Sequence, residues 1–399
     1  MPLPEPQITR YLSWLRSTRG QQFTDYDTLW RWSVNELEAF WQSIWDYFDI
    51  ESPTPFARVL SAEYMPGARW FEGAQVNYAR QVLRHVDAAL AAGHPAIVFA
   101  DEPMLAAAQL QTLSWLQLRA QVAAMAAALR RMGVRRGDRV CAYLPNRPET
   151  AVVFLACASI GAIWSICSPD MGPVAVLDRF RQIEPTVLIA CDGYRYGGAA
   201  YDRRAVVAEL VAKLPSVAHV VWQPLLGAGV APAWPARITL HDLGALLAAD
   251  APPFEPEWLP FDHPLWVVYS SGTTGLPKPI VHGHGGVMLE GLKLATLHNN
   301  IAPSVLTGER YHWYSSTGWI MWNSQVGGLL GGTTICLFDG SPSGPSKAPD
   351  WTTLWRFAAL AKATFFGAGA ASHPASSSSC ASSIGASFGS SNETSIAGS

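Results

Sequence analysis

From residue 94 to residue 222 the chain repeats one pattern, a short apolar run followed by a stretch with apolar residues every three or four positions. Residues 96–100 form the first run. Residues 114–132 then place Leu118, Val122, Met125, Leu129 and Met132 on one helical face, with Gly133 positioned to end the helix. Residues 139–144 read as a second strand, and Pro148 suits the first turn of a helix reaching residue 160. Residues 187–191 are a further strand, Asp202 can cap a helix to residue 214, and 217–222 close the series. Strands separated by helices are joined by crossovers rather than tight hairpins. The fold class is therefore α/β, with mostly parallel sheets covered by helices on both faces. There is no internal repeat, and residues 225–237 read as a Gly/Pro/Ala-rich surface loop.

The nearest approach to a membrane span, the uncharged residues 151–167, falls short of the roughly 20 apolar residues such a span needs. It also contains Ser159, Gly161 and Ser165, so it reads as a buried helix running into a buried strand. The first fifty residues carry five tryptophans, Trp14, Trp30, Trp32, Trp41 and Trp45. Apolar spacing predicts one helix over 27–48 and another over 77–92, their stripes docking on a larger body. With 49% hydrophobic residues the chain can bury a large core, which excludes general disorder. Its net charge of −3 argues against an electrostatic nucleic-acid binder. The six cysteines form no CxxC pair and no Cys/His cluster, which fits buried thiols in a reducing cytoplasm rather than a metal site or a disulfide framework. No apolar signal segment follows the proline-rich start, so the expected location is cytoplasmic.

Residues 265–286 carry the most chemistry. Leu265-Trp266-Val267-Val268-Tyr269 is an apolar strand leading into Ser270-Ser271-Gly272-Thr273-Thr274-Gly275-Leu276-Pro277-Lys278, and Ile280-Val281 follow. Glycines let backbone N–H groups approach phosphate oxygens, the four hydroxyls add donors, and Lys278 adds compensating charge. A Walker A loop is excluded, because Gly272 has the wrong spacing and Pro279 stands where a Ser/Thr would hold magnesium.

This loop resembles the phosphate-binding signature of the adenylate-forming superfamily, and the resemblance runs from about residue 11 to residue 369. The implied fold is that family's large N-terminal domain, incomplete here. The tryptophan-rich start, Met65-Pro66-Gly67-Ala68-Arg69-Trp70-Phe71-Glu72-Gly73 and Asn77-Tyr78-Ala79 resemble the N-terminal region of acetyl-CoA-synthetase-like enzymes. Thr317-Gly318-Trp319-Ile320-Met321-Trp322-Asn323 and residues 331–342 are most similar to the acetoacetate-activating branch. The resemblance divides the chain into an N-terminal extension (1–26), a helical cap (27–93), an AMP-binding domain (94–371) and a serine-rich tail (372–399).

The resemblance implies a ligase with ATP, Mg2+, coenzyme A and acetoacetate as its small-molecule partners, and neither nucleic acid nor membrane. A carboxylate attacks the α-phosphate of ATP, releasing pyrophosphate, and the coenzyme A thiol then displaces AMP. By the same resemblance Ser270, Ser271, Gly272, Thr273, Thr274, Gly275 and Lys278 bind the ATP phosphates, with Thr274 and Lys278 on the β and γ groups. Magnesium would arrive with ATP, and no protein metal ligands are expected. Trp319, Ile320 and Met321 would wall the acyl pocket, with a purely structural role for Trp319 and Trp322 as the alternative. Arg195 would contact coenzyme A phosphates, the alternative being a solvated loop arginine. His282 and His284 read as supporting residues and Asp138 as a turn residue. Acetate or another short acid remains open as the substrate, as does nucleotide binding without catalysis.

The family pattern stops near residue 371. Twelve of the last 28 residues are serine, with too little apolar surface to fold, so the tail is expected to be disordered. A frameshifted gene end accounts for it, with a serine-rich linker as the alternative. The portion that carries the family's adenylation lysine and adenine contacts has no counterpart, so no catalytic residue is expected intact and thioester formation is expected to be negligible.

Overall fold

The computed structural model describes residues 5–227, 232–250, 253–270 and 275–369. The serine-rich tail and part of the 225–237 loop lie outside the described residues. The α/β reading holds, but the strands divide between two sheets. The first has the order Thr239–Asp242, His219–Gln223, Val187–Cys191, Arg139–Tyr143, Ile163–Cys167, Pro264–Ser270 and Lys278–Gly283. Six of these run parallel, and the last pairs antiparallel with Pro264–Ser270. The second sheet has the order Phe365–Ala368, Arg310–Tyr314, Thr334–Asp339, Pro95–Asp101 and Gln111–Ser114, with only the last antiparallel. The first apolar run of the repeating pattern thus leaves its sequence neighbours and pairs far away, Ile97 opposite Ile335.

Successive strand residues face opposite ways, and here each direction meets a different helix layer. Ile97 and Phe99 of the five-stranded sheet share one central core with Val140, Ala142, Val187 and Ile189 of the seven-stranded sheet. The helices Trp115–Arg131 and Pro148–Ser159 fill that core. Facing the other way, Cys141, Tyr143, Leu188 and Ala190 pack on Val176, Phe180 and Leu210 of two outer helices. Val98, Ala100, Cys336 and Phe338 pack on Leu354 and Phe357 of another. The result is five layers, helix–sheet–helix–sheet–helix. Pro148–Ser159 carries no polar stripe and is buried on every side, so residues 151–167 are the expected buried helix and strand. Among the described residues no helix is long and apolar enough to cross a membrane. Cys141, Cys157, Cys167, Cys191 and Cys336 are buried free thiols.

Two predicted helices are broken. The 27–48 stretch forms Tyr26–Asn35 and Leu37–Tyr47, because Glu36 leaves helical geometry at φ −115°, ψ 59°. The first piece is anchored by a capping box between Asp25 and Thr28. The break falls after Asn35, a weak helix former, while the apolar spacing runs through it unchanged. The 77–92 stretch becomes Tyr78–Leu83 and Val86–Ala91. Between them the His85 ring bonds the Leu330 carbonyl at 2.9 Å, a tertiary contact without local signal. The extension also folds: Gln7–Arg19 is a helix whose Tyr11 hydroxyl lies 2.5 Å from Ser43 Oγ.

Candidate active site

Pro264–Ser270 and Lys278–Gly283 make a hairpin in which Ser270 stands opposite Lys278. The phosphate-loop candidates Ser270 and Lys278 therefore mark the two mouths of one loop. Ser271, Gly272, Thr273 and Thr274 lie outside the described residues. Gly275 has φ +114°, a conformation natural to glycine. The loop is held to the body by Gln182, whose amide donates to the Pro277 carbonyl at 2.9 Å, and by Tyr269, whose hydroxyl donates to the Arg179 carbonyl at 2.8 Å.

The 317–325 segment is fastened between the two sheets. Thr317 Oγ1 donates to the Leu144 carbonyl at 2.7 Å, and Trp322 Nε1–H donates to Asn146 Oδ1 at 3.1 Å. Gln325 bridges onward, accepting from Asn146 at 3.3 Å and donating to the Cys336 carbonyl at 2.7 Å. Leu144 and Asn146 follow a strand of one sheet and Cys336 belongs to the other. Trp322 is fully buried and structural, whereas Trp319 is 49% exposed at the N-terminus of the Ile320–Gly327 helix. The Trp319 ring lies against Gly369, where an added Cβ would sit 3.6 Å away.

Ile320 and Met321 line a cavity of about 500 Å³ together with Tyr78, Trp266, Val281, His282, Glu290, Asn323 and others. Trp319 is not among the lining residues. The cavity and the phosphate loop are two ends of one element, since Lys278 opens the strand that contributes Val281 and His282. Trp266 Nε1–H donates to His282 Nδ1 at 2.8 Å, and burial lowers the His282 pKa. Next to it, His284 accepts from the Tyr78 backbone N–H at 3.1 Å, while its Nε2 is buried without a hydrogen-bond partner. Burial, with smaller effects from His263 and Arg136, drives the His284 pKa down to about 3, so the ring is neutral. Asp138 is a turn residue, accepting from the Arg135 N–H at 2.7 Å.

Arg195 is exposed on a hairpin, Gly193–Tyr196 with Ala199–Asp202, that the strand–helix rhythm did not announce. Its turn is clamped by the Glu102 carboxylate, which accepts from the N–H groups of Gly197 (2.6 Å), Gly198 (2.7 Å) and Ser341 (2.7 Å). Tyr194, Tyr196 and Tyr201 of this hairpin line a second crevice of about 410 Å³, with Asn146, Ser168, Thr317 and Asp339. This crevice lies beyond the carboxyl ends of parallel strands from both sheets, where open α/β folds bind ligands. Burial pushes the Asp339 carboxyl up to about 7. Arg147, at 3.8 Å, opposes that shift, while Asp101, Glu102 and Glu149 reinforce it. Glu102 sits in no pattern of its own, and Asp339, although inside the 331–342 motif, carries no signal of its environment there; each acquires its partners only by folding. A groove of about 710 Å³ bordered by Arg80, Arg84 and Arg119 shares no lining residue with either cavity. Its arginines are engaged by Glu255, Asp49 and Asp87.

The family model for AMP-binding enzymes matches residues 85–367, and that for the acetyl-coenzyme A synthetase N-terminus matches residues 26–82. The chain belongs to the AMP-binding enzyme family, and its fold is the large N-terminal domain of adenylate-forming enzymes. It is 38% identical over 363 residues to acetoacetyl-coenzyme A synthetase from Rhizobium meliloti (strain 1021), covering 91% of this chain and 53% of the relative. It is 32% identical over 345 residues to a malonamoyl-CoA synthetase from Penicillium aethiopicum, covering 84% and 46%. The solved acetoacetyl-CoA synthetase from Streptomyces lividans matches with a TM-score of 0.83 at 48% identity, over 92% of this chain and 54% of that one. The chain spans about half the length of the curated relatives it matches.

Proposed function

We propose that this chain provides the phosphate loop and the acyl cavity of an ATP-dependent acid–CoA ligase that takes acetoacetate through an acyl-adenylate. The observation that carries this reading is the shared hairpin, with Ser270 and Lys278 at one end and the Val281–His282 wall of a ligand-sized cavity at the other. In that reading Ser270, Ser271, Gly272, Thr273, Thr274, Gly275 and Lys278 take the ATP phosphates, with Thr274 and Lys278 on the β and γ groups. Ile320 and Met321 wall the acyl group, and Trp319 covers its entrance. Arg195, on its clamped hairpin, takes coenzyme A phosphates.

Attack of the carboxylate on the α-phosphorus expels pyrophosphate, and attack of the thiol on the acyl carbon then expels AMP. Both steps draw on charge neutralisation and alignment. Magnesium would enter with ATP on its phosphates and waters. Among the described residues no group of three His, Cys, Asp or Glu could hold a metal. The domain limits given from the sequence and a cytoplasmic location belong to the same proposal. The acyl groups named for the relatives, acetoacetyl and malonamoyl, share a carbonyl at carbon 3.

Calorimetry with ATP, followed by pyrophosphate release with acetoacetate, acetate and propionate, tests the proposal. Acetoacetate is expected to give the highest release, and acetate in that place would overturn the substrate assignment. Lys278→Ala should weaken ATP binding about tenfold, as loss of one charge-assisted phosphate contact implies. The alternative reading is nucleotide binding without turnover. Micromolar ATP binding with no pyrophosphate release under any acid would establish it.

A further inference from the structure

Most of the acyl cavity wall is apolar, and the fold settles the proton position of one of its few polar groups. An indole nitrogen can only donate. Because Trp266 Nε1–H points at His282 Nδ1 at 2.8 Å, Nδ1 is the acceptor and carries no hydrogen. A neutral imidazole so bonded holds its proton on Nε2. Burial favours the neutral ring. His282 lines the cavity beside Ile320 and Met321, and no described residue accepts from its Nε2–H. The ring therefore offers the cavity a donor and cannot offer an acceptor without breaking the Trp266 bond.

The other polar groups of the wall lack this constraint. Asn323 can present either its oxygen or its nitrogen, Glu290 is an acceptor when ionised, and the Ser324 hydroxyl lies 3.2 Å from that of Tyr311.

Resting on the ligase reading above, we propose that His282 Nε2–H donates a hydrogen bond to the carbonyl oxygen at carbon 3 of the bound acyl group. His282 is then the residue that separates 3-oxo acids from saturated acids of equal length. A saturated chain leaves the donor buried and unpaired, so the discrimination arises from a penalty on the wrong substrate as much as from attraction of the right one. Trp266 acts through His282 as a positioning residue, fixing its tautomer.

The test uses two non-hydrolysable acyl-adenylate mimics, the 3-oxobutanoyl and butanoyl sulfamates of adenosine, titrated calorimetrically into the full chain. The unaltered chain should bind the 3-oxo probe about tenfold more tightly, the scale of one net hydrogen bond. His282→Asn keeps an acceptor for the Trp266 N–H but has no atom at the Nε2 position. It should bring the two affinities within about twofold, weakening the 3-oxo probe, which loses its donor, and tightening the butanoyl probe, which no longer leaves one unpaired. Retained binding of the butanoyl probe also shows the variant to be folded. His282→Gln, which can return an amide N–H near Nε2, should restore part of the preference. A preference that survives intact in His282→Asn overturns the proposal. If neither probe binds the unaltered chain, the ligase reading itself fails, and the assignment of His282 fails with it. Should His282→Asn bind neither probe, the Gln variant decides: no recovered preference there overturns the proposal, and recovery supports it.

Discussion

The two sheets of this molecule are built from the same kind of strand yet assembled in opposite ways. In the seven-stranded sheet, Arg139–Tyr143 pairs with Ile163–Cys167 and Val187–Cys191, its neighbours along the chain through helical crossovers. In the five-stranded sheet, Pro95–Asp101 pairs with Thr334–Asp339, so Ile97 meets Ile335 across most of the chain. Local pairing leaves a repeating signature that can be read directly. Distant pairing leaves isolated apolar runs whose partners cannot be named until the chain closes. The central helix layer joins the two, because Pro148–Ser159 and Trp115–Arg131 bury side chains against both sheets in one core.

The largest expected effect breaks that junction. Phe154 is fully buried in the central layer, with rings of Tyr78, Trp164, Trp266 and Trp322 around it at 5.2–6.1 Å. Phe154→Ala should cost about 3–5 kcal/mol, read as a shift in the urea midpoint. If the sheets share one core they should lose stability together. Two separated transitions, with only one moved, would show that they are independent.

Next in size is the Glu102 clamp, which ties the five-stranded sheet to the hairpin carrying Arg195. Glu102→Ala leaves the N–H groups of Gly197, Gly198 and Ser341 without their acceptor and should cost about 1–3 kcal/mol. Amide exchange should speed up at those residues and not in the central helices, which confines the loss to that link.

A smaller contrast is electrostatic, between two of the buried ionisable groups, Asp339 and His284, one beside each sheet. Asp339 ends a strand of the five-stranded sheet with its carboxyl held at about 7. Between about pH 4 and 7 the unfolded chain releases that proton more readily than the native one, so this group lowers stability as pH rises. His284 follows the edge strand of the seven-stranded sheet, with its pKa held near 3. From about pH 6.5 down towards 3 the unfolded chain gains a proton that the native ring refuses, so this group lowers stability as pH falls. Urea midpoints against pH for Asp339→Asn and His284→Gln, each subtracted from the unaltered chain, should slope in opposite directions. Slopes of one sign would overturn the assignment.

The smallest effect is expected on the cap. Trp30 is 50% exposed on the Tyr26–Asn35 helix, and Trp30→Gln should change stability by no more than about 0.5 kcal/mol. A larger loss, by the same urea titration, would mean that the cap contributes to the core through that face.

The legible parts share a cause. The helix over 148–159, the strand over 187–191 and the phosphate-loop hairpin each announce themselves through residues adjacent in sequence: Pro148 at a helix start, an unbroken apolar run, hydroxyls and glycines between two strands. The break at Glu36 was illegible because the apolar spacing continues across it. The strands Arg310–Tyr314 and Thr334–Asp339 were missed because they stand outside the repeating series, although residues 331–342 had already drawn notice as a motif. Within the site, Ile320 and Met321 could be proposed from their motif. That Trp322 is buried while Trp319 stands half open depends on which helical turn faces Asn146.

The sequence by itself determined the α/β class, the position of the phosphate-loop hairpin and the family, because each rests on residue types at short, fixed spacing. Tertiary structure alone decided that the strands form two sheets and that Glu102 closes on Gly197, Gly198 and Ser341. It also decided that Trp266 meets His282 with one tautomer selected. The first two outcomes depend on contacts between residues far apart in the chain, and the third on the cross-strand register of the hairpin. Their free energy appears only once the core has excluded water and each buried polar group has found its partner.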